Sequence, residues 1–471
     1  MTPEGLRVLP SVERLAQTLD ADPTLQAYTP AERRAAARAV IAQRRAELIQ
    51  NAVALGGLIS EQVFEQLCVA ARLRLYEARS LRPVINATGV ILHTNLGRAP
   101  LPQAALEAIA EIAGGYANLE YDLTTGRRGR RDAHGEALWR ELLGCEAAVV
   151  VNNCAAAVWL VLEALGRGGA ALISRGELVE IGGGFRIPDI MAYSGVALRE
   201  VGTTNRTRLA DYEAALTPDT RLIVRVHQSN FRMTGFTARP TVAELAELAK
   251  QHGLILFDDI GSGLLADLTA DGLHDEPMPA RSLADGADVV TFSADKLLGG
   301  PQAGVIAGRR DLIEQIRRRP LMRVLRADKL TYAALEAVLR LYRAGNWAAI
   351  PILAMLRTSP LTLKRRAQQL ARRLRRRISP EVCRIELAPG ASAIGGGCAP
   401  NIELPTTLVA LVPKHSSTDD LTTQLRQASP PVITRTADGR ILLDPRTVFP
   451  SQEAALVSAV VASVTKACGA A

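Results

Sequence analysis

Paired cysteines, clustered histidines and long apolar runs are all missing from this sequence. The six cysteines (Cys68, Cys145, Cys154, Cys383, Cys398 and Cys468) are scattered, with no C-x-x-C pair. That spacing argues against a disulfide framework and against a structural zinc site. Only six histidines are present, none in metal-ligand spacing, so no metal is expected. No window approaches the roughly 18 uninterrupted apolar residues of a membrane span. The opening stretch MTPEGLRVLPSVERL has no basic-then-apolar leader, which predicts a cytoplasmic protein with no membrane partner. Aromatic residues make up only 4% of the chain.

What is present is a chain of 471 residues, 48% hydrophobic and 22% charged, with a formal net charge of +8. The length suggests about three domains, and the composition a soluble protein with sizeable cores. The cationic excess is mostly arginine. Such an excess suits a polyanionic partner, because phosphate contacts dominate nucleic-acid affinity. It equally suits helices solvated by arginine.

Three segments emerge along the chain. Residues 1–77 read as helical: TPAERRAAARAVIAQRRAELIQNA has apolar residues at helical spacing and a capping signal at Thr29-Pro30-Ala31-Glu32. Its polar face is expected to carry Arg33, Arg34, Arg38, Arg44 and Arg45. Over residues 78–340, short apolar runs (AAVVVNN, AALIS, GVALREVG, RLIVRVH, LILFDD, DVVTFSADK, AGVIAG) alternate with amphipathic helices. That alternation predicts a doubly wound α/β sheet with ligands at the carboxyl ends of its strands. Residues 341–471 predict a smaller α+β domain with an arginine-rich helix (LKRRAQQLARRLRRRI) and short strands.

Four polar clusters fall where strands of the large segment should end. In VVVNNCAAAVWL, Asn153, Cys154 and Ala155 open an alanine-rich helix whose backbone N–H groups can approach an anion; Asn is also an ordinary N-cap. In LILFDDIGSG, a buried strand ends in Asp258 and Asp259. Either acid could hold the protonated ring nitrogen of a pyridine cofactor, or cap or bind a metal. In SADKLLGGPQAG, Lys296 stands before a glycine-rich turn with Asp295 beside it. A lysine there can form a Schiff base, although most single lysines are merely solvated. VHQSNFRMTGF brings a fourth polar strand end to the same edge. The chain order of these clusters matches the large domain of pyridoxal phosphate enzymes.

The strings NATGVILHTNLGRAPL, YDLTTGRRGRR, SRGELVEIGGGFRIPDIM, GTTNRT, DIGSGLLADL and SADKLLGGPQAG together resemble the bacterial L-seryl-tRNA(Sec) selenium transferases, over nearly the whole chain. The resemblance implies a fold-type-I, aspartate aminotransferase-like fold. It implies pyridoxal 5'-phosphate on Lys296, with the ring-nitrogen acid at Asp259 (Asp258 as runner-up) and phosphate contacts from Asn153, Cys154 and Ala155. It also implies β-elimination from seryl-tRNA(Sec) to a dehydroalanyl-tRNA, followed by addition of selenium from selenophosphate. Because the seryl carboxyl is esterified, arginines of the site are free for the selenium donor. Arg98, Arg323 and Arg326 match the family positions for that role, and Asp295 matches an acid linked to catalysis. Arg435 and Arg446 are further candidates for the cleft. The N-terminal helices would grip the tRNA, and the family assembles as a homo-oligomer, commonly a decamer of dimers. The alternative is a pyridoxal phosphate lyase acting on a free amino acid or amino sugar.

Overall fold

The computed structural model describes residues 9–50, 61–77 and 79–468. The leaderless first eight residues and part of the expected N-terminal helical segment, residues 51–60, lie outside the described residues, as does the side chain of Cys468.

Three helices, Val12–Asp20, Pro30–Gln50 and Glu61–Glu77, form the N-terminal part. The capping signal is used: Thr29 N–H donates to Glu32 Oε2 at 2.7 Å, and Glu32 N–H returns a bond to Thr29 Oγ1 at 3.3 Å. One residue departs from the expected polar face. Arg33 is 6% exposed, with Nε 2.6 Å from Asp20 Oδ1 and Nη1 donating to the carbonyls of Leu25 and Tyr28. The chain before this helix folds back over its first turn, and the guanidinium satisfies carbonyls that the connecting turn leaves open.

Strands β1 (Ile85–Asn86) and β2 (Val90–Leu92) come next, then a hairpin of β3 (Tyr121–Asp122) and β4 (Arg127–Arg128). The large sheet follows, from β5 (Ala147–Val151) and β6 (Ala170–Ser174), past a small hairpin of β7 (Glu180–Ile181) and β8 (Phe185–Arg186). It continues with β9 (Ala197–Val201), β10 (Thr220–Val226), β11 (Ile255–Gly261), β12 (Val289–Ser293) and β13 (Gly304–Gly308). All seven strands expected for the sheet form, in the order β5-β13-β12-β11-β10-β6-β9. Six run parallel with crossover connections. AGVIAG differs: β13 pairs antiparallel with both β12 and β5, because the short glycine-rich turn after Lys296 is too tight for a crossover.

Helices cover both faces, and the period of two sorts each strand between two cores. Leu222, Val224, Phe257 and Val289 pack with the helix Cys154–Leu165 on one side. Ile223, Leu256, Ile260 and Val290 pack with helices Val242–Gln251 and Lys329–Arg343 on the other. Each such side chain contributes about 1.5–3 kcal/mol on full burial.

The C-terminal part has β14 (Cys383–Gly395), β15 (Cys398–Pro413), β16 (Val432–Ile433), β17 (Arg435–Ala437) and β18 (Arg440–Leu443), packed on the expected arginine-rich helix, here Pro360–Arg375. Its sheet order is β17-β18-β15-β14-β2, and β16 pairs with β1. Residues 85–92 therefore belong by pairing to the C-terminal sheet, although they precede the large sheet in the chain. Among the described residues no helix is long and apolar enough to cross a membrane, and no group of three metal-ligating side chains gathers.

Candidate active site

The two adjacent aspartates of β11 point to opposite faces, as the strand period requires. Asp258 shares a face with Leu256 and Ile260. Its Oδ2 accepts from Ser282 Oγ at 2.6 Å and lies 3.8 Å from Arg225. Asp259 shares the other face with Phe257. Its Oδ1 accepts from Thr291 Oγ1 at 2.7 Å and lies 3.7 Å from Cys154 Sγ. Thr291 is the register partner of Asp259 on the neighbouring parallel strand. Burial pushes the Asp259 carboxyl up to about 6, against the downward pull of the Thr291 hydroxyl and the Lys296 cation.

Lys296 is 7% exposed, in the turn that leaves β12. Three backbone bonds brace that turn: Leu297 N–H to Ser262 C=O at 3.0 Å, Ala294 N–H to Ala303 C=O at 2.9 Å, and Gly299 N–H to Lys296 C=O at 3.0 Å. The Gly-Ser-Gly loop after Asp259 thus sets the position of the lysine. Asn153 caps the helix Cys154–Leu165, its side chain accepting from Ala156 N–H at 2.9 Å. The N–H groups of Cys154 and Ala155 therefore face outward at the positive end of the helix dipole. Desolvation and the Asp259 carboxylate push the Cys154 thiol well up, so it stays protonated. Gly304 makes room for this arrangement, since a Cβ there would stand 2.1 Å from the Asn153 carbonyl oxygen.

Asp295 is 6% exposed, and its Oδ2 is 2.7 Å from Arg98 Nη1. Arg98 has φ of +60°, a left-handed conformation that costs a non-glycine residue of order 1 kcal/mol. It is held there by its own N–H to His93 C=O at 3.1 Å and by Ala99 N–H to Asp295 C=O at 3.3 Å. The structure thus joins Lys296, Asp295 and Arg98 in one corner, and Asp259, Cys154 and Asn153 in the adjoining one.

Arg323 and Arg326 stand apart. Arg323 is exposed on the helix Pro320–Leu325. Arg326 bridges to Val151 by its backbone, and its guanidinium lies 3.7 Å from Glu120. Among the described residues, neither arginine makes an ion pair with Asp295. Arg446, expected as a candidate for the cleft, is 3% exposed and committed elsewhere. It donates to Ser392 Oγ at 2.9 Å and to the carbonyls of Met355 and Pro405 at 2.8 and 2.7 Å. Arg435 donates to the Ala391 carbonyl at 2.7 Å.

The VHQSNF strand end reaches the same edge through His227, whose N–H donates to the Asp259 carbonyl at 2.9 Å. Burial first, then the Arg239, Arg225 and Lys296 cations, push this imidazole down to about 3, so it is neutral at physiological pH. Two participants were not anticipated from the sequence. Thr291 could have been found by aligning the neighbouring parallel strands at Asp259. Glu276, whose side chain is 1% exposed, lies 3.8 Å from His227 Nε2 and accepts from Ala399 N–H at 2.8 Å. It sits in an irregular segment that carries no periodic signal.

The sequence model of the L-seryl-tRNA selenium transferases matches residues 84–449. The chain belongs to this family. It is 48% identical to the L-seryl-tRNA(Sec) selenium transferase of Solidesulfovibrio magneticus over 465 residues, 97% of each chain. To the protein of the same name from Geobacter sulfurreducens it is 46% identical, over 96% of this chain and 97% of the other. Among solved structures, D-glucosaminate-6-phosphate ammonia-lyase superposes with a TM-score of 0.59 at 18% identity, covering 83% of this chain and 98% of that one. The family and this likeness agree with the fold-type-I architecture expected from the strand order and the lysine turn.

Proposed function

We propose that this protein converts L-seryl-tRNA(Sec) to L-selenocysteyl-tRNA(Sec) with selenophosphate, using pyridoxal phosphate held at Lys296. The observation that carries the reading is the buried carboxylate of Asp259, set on the same strand edge as the braced amine of Lys296. Among the described residues Asp259 Oδ2 accepts no hydrogen bond, which suits a pyridinium N–H. The outward N–H groups of Cys154 and Ala155 suit a phosphate. The residues present therefore fit the group. When bound, pyridoxal phosphate supplies an electron sink that labilises the Cα–H and Cβ–O bonds of an amino acid.

The chain's own residues divide the remaining work. Lys296 holds the cofactor and is the base nearest the seryl Cα proton. Asp259 keeps a proton on the ring nitrogen by offering it a carboxylate in a low-dielectric site. Asp295 is the acid beside Lys296 for the departing seryl hydroxyl. Arg98, one-third exposed next to it, presents a planar fork to the tetrahedral oxyanion of selenophosphate. Arg323 and Arg326 are the further cations assigned to that anion. In the net exchange the Cβ–O and P–Se bonds break, a Cβ–Se bond forms, and the hydroxyl oxygen ends on phosphate.

Residues 1–77 are assigned to tRNA binding, 78–340 to catalysis and 341–471 to the small domain, in a cytoplasmic homo-oligomer, a decamer of dimers by analogy with the family. The test is formation of selenocysteyl-tRNA from seryl-tRNA(Sec) and selenophosphate, with free serine in a parallel reaction. Turnover of the free amino acid alone would instead support the lyase reading.

A further inference from the structure

We propose that the cavity beside this strand edge seats the 3'-terminal nucleotide of the aminoacyl-tRNA, with Arg239 binding its 5'-phosphate. The proposal rests on the seryl-tRNA reading above and identifies where the ester end of that substrate goes.

The cavity measures about 600 Å³, within the range of sites that bury a small ligand. His227 and Glu276 line its inner end. His227 is bonded through its backbone to the Asp259 carbonyl, so this end opens onto the corner that holds Lys296. Substrate chemistry supplies the constraint. In an aminoacyl-tRNA only the carbonyl carbon and the ester oxygen separate the amino-acid Cα from the terminal ribose. With the Cα at Lys296, the ribose carbon lies within about 4 Å of it, the reach of three covalent bonds. The terminal nucleoside must therefore occupy space contiguous with this corner, wherever the body of the tRNA docks.

The walls suit a nucleotide. Phe231, Met233 and Ile402 line the cavity with apolar surface against which a base can stack or pack. Phe231 is 38% exposed, so its ring is accessible from the cavity. Arg239 projects into the same space; it is accessible to water although protein surrounds it on most sides. Among the described residues no carboxylate lies within 4.0 Å of its guanidinium, and the nearby Arg225 cation leaves its charge uncompensated. A phosphate placed there would gain a charge-assisted contact. Selenophosphate alone is a poor occupant, because one tetrahedral anion leaves most of 600 Å³ unfilled.

The test uses the full chain loaded with pyridoxal phosphate. Dissociation constants are measured for uncharged tRNA(Sec) and for the same tRNA lacking its 3'-terminal nucleotide. Wild type is expected to bind the complete tRNA about tenfold more tightly, the scale of one charge-assisted hydrogen bond in a partly exposed site. Arg239→Ala should bind both tRNAs alike, at the affinity of wild type for the shortened one. Arg239→Lys and Phe231→Ala should each narrow the gap without weakening the shortened tRNA. Equal binding of the two tRNAs by wild type overturns the proposal. So does an equal loss on both tRNAs in Arg239→Ala and Phe231→Ala. Turnover of seryl-tRNA is followed in the same preparation: its absence overturns the selenium transferase reading, whereas turnover without the affinity gap overturns only the cavity's assignment.

Discussion

Replacing Asp259 with asparagine should stabilise the protein free of pyridoxal phosphate while disabling the cofactor-loaded form. The carboxyl group is held at about 6 in the folded chain against a reference of 3.8. A carboxylate whose folded pKa is raised costs stability wherever it is ionised. The folded state keeps a proton that the unfolded state releases, so stability falls as pH rises from about 4 to about 6 and stays reduced above that. Two units at about 1.4 kcal/mol each make the full cost about 3 kcal/mol. Asparagine has nearly the same shape, can still accept from Thr291 through its oxygen, and does not titrate. The gain of Asp259→Asn over wild type should therefore be near zero at pH 4 and grow to about 3 kcal/mol at pH 7, less whatever its amide N–H loses for want of an acceptor. Urea unfolding followed by tryptophan fluorescence reads this, since Trp139 packs edge-on against Phe292 of β12, with ring centroids 5.8 Å apart. Adding pyridoxal phosphate should reverse the order, because only the carboxylate can hold the ring N–H as an ion pair. A pH-independent difference, or a less stable variant at pH 7 without cofactor, would refute the reasoning.

Three further outcomes follow from the geometry. Gly304→Ala should lower pyridoxal phosphate affinity and stability together, by 2 kcal/mol or more on the scale of roughly 1–3 for overpacking. Its Cβ would meet the Asn153 carbonyl at 2.1 Å and push the start of the following helix outward; equilibrium dialysis and a thermal melt check it. Arg98→Ala should raise the KM for selenophosphate at least tenfold (about 1.4 kcal/mol) and leave the melting temperature nearly unchanged, since the side chain is one-third exposed; steady-state kinetics at fixed seryl-tRNA separate the two. Arg446→Ala should cost about 3 kcal/mol, because it strands Ser392 Oγ and the Met355 and Pro405 carbonyls in a buried site, at about 1 kcal/mol for each unsatisfied group. A urea midpoint followed by circular dichroism would show it.

The seven large-sheet strands were legible because strands buried on both faces read as continuous apolar runs, as in Val149-Val150-Val151 and Val289-Val290. Their direction was not. Nothing in AGVIAG distinguishes an antiparallel return from a parallel strand, and only the tightness of the Lys296 turn decides it. The roles open to Asp258 and Asp259 looked equal in a list of residues, yet the period of two separates them once Phe257 and Leu256 are assigned to opposite cores. Arg33 was misplaced because helical spacing shows which way a side chain leaves the helix, and not what folds over it. Glu276 and Arg239 escaped notice for a related reason: the cavity they line is assembled from segments between Ser174 and Ile402, and no local pattern marks such a meeting.

The pairing of β1 and β2 with the C-terminal sheet limits how this protein can be dissected. A fragment starting at residue 341 would lack the strand that covers one edge of β14 and the partner of β16, leaving backbone donors and acceptors open to aggregation. A fragment ending at 340 would leave residues 85–92 without their neighbours, and Arg98 lies only six residues beyond. Gly89 tightens the tie, since a Cβ there would stand 2.2 Å from Asp444 Oδ2, so the crossing strand lies directly against the small-domain core. Any hinge motion of the small domain is thereby geared to the arginine that meets Asp295. Gene fusions, truncations and swapped domains that cut between 92 and 98 should uncouple the two, and those that keep residues 85–98 with both halves should not.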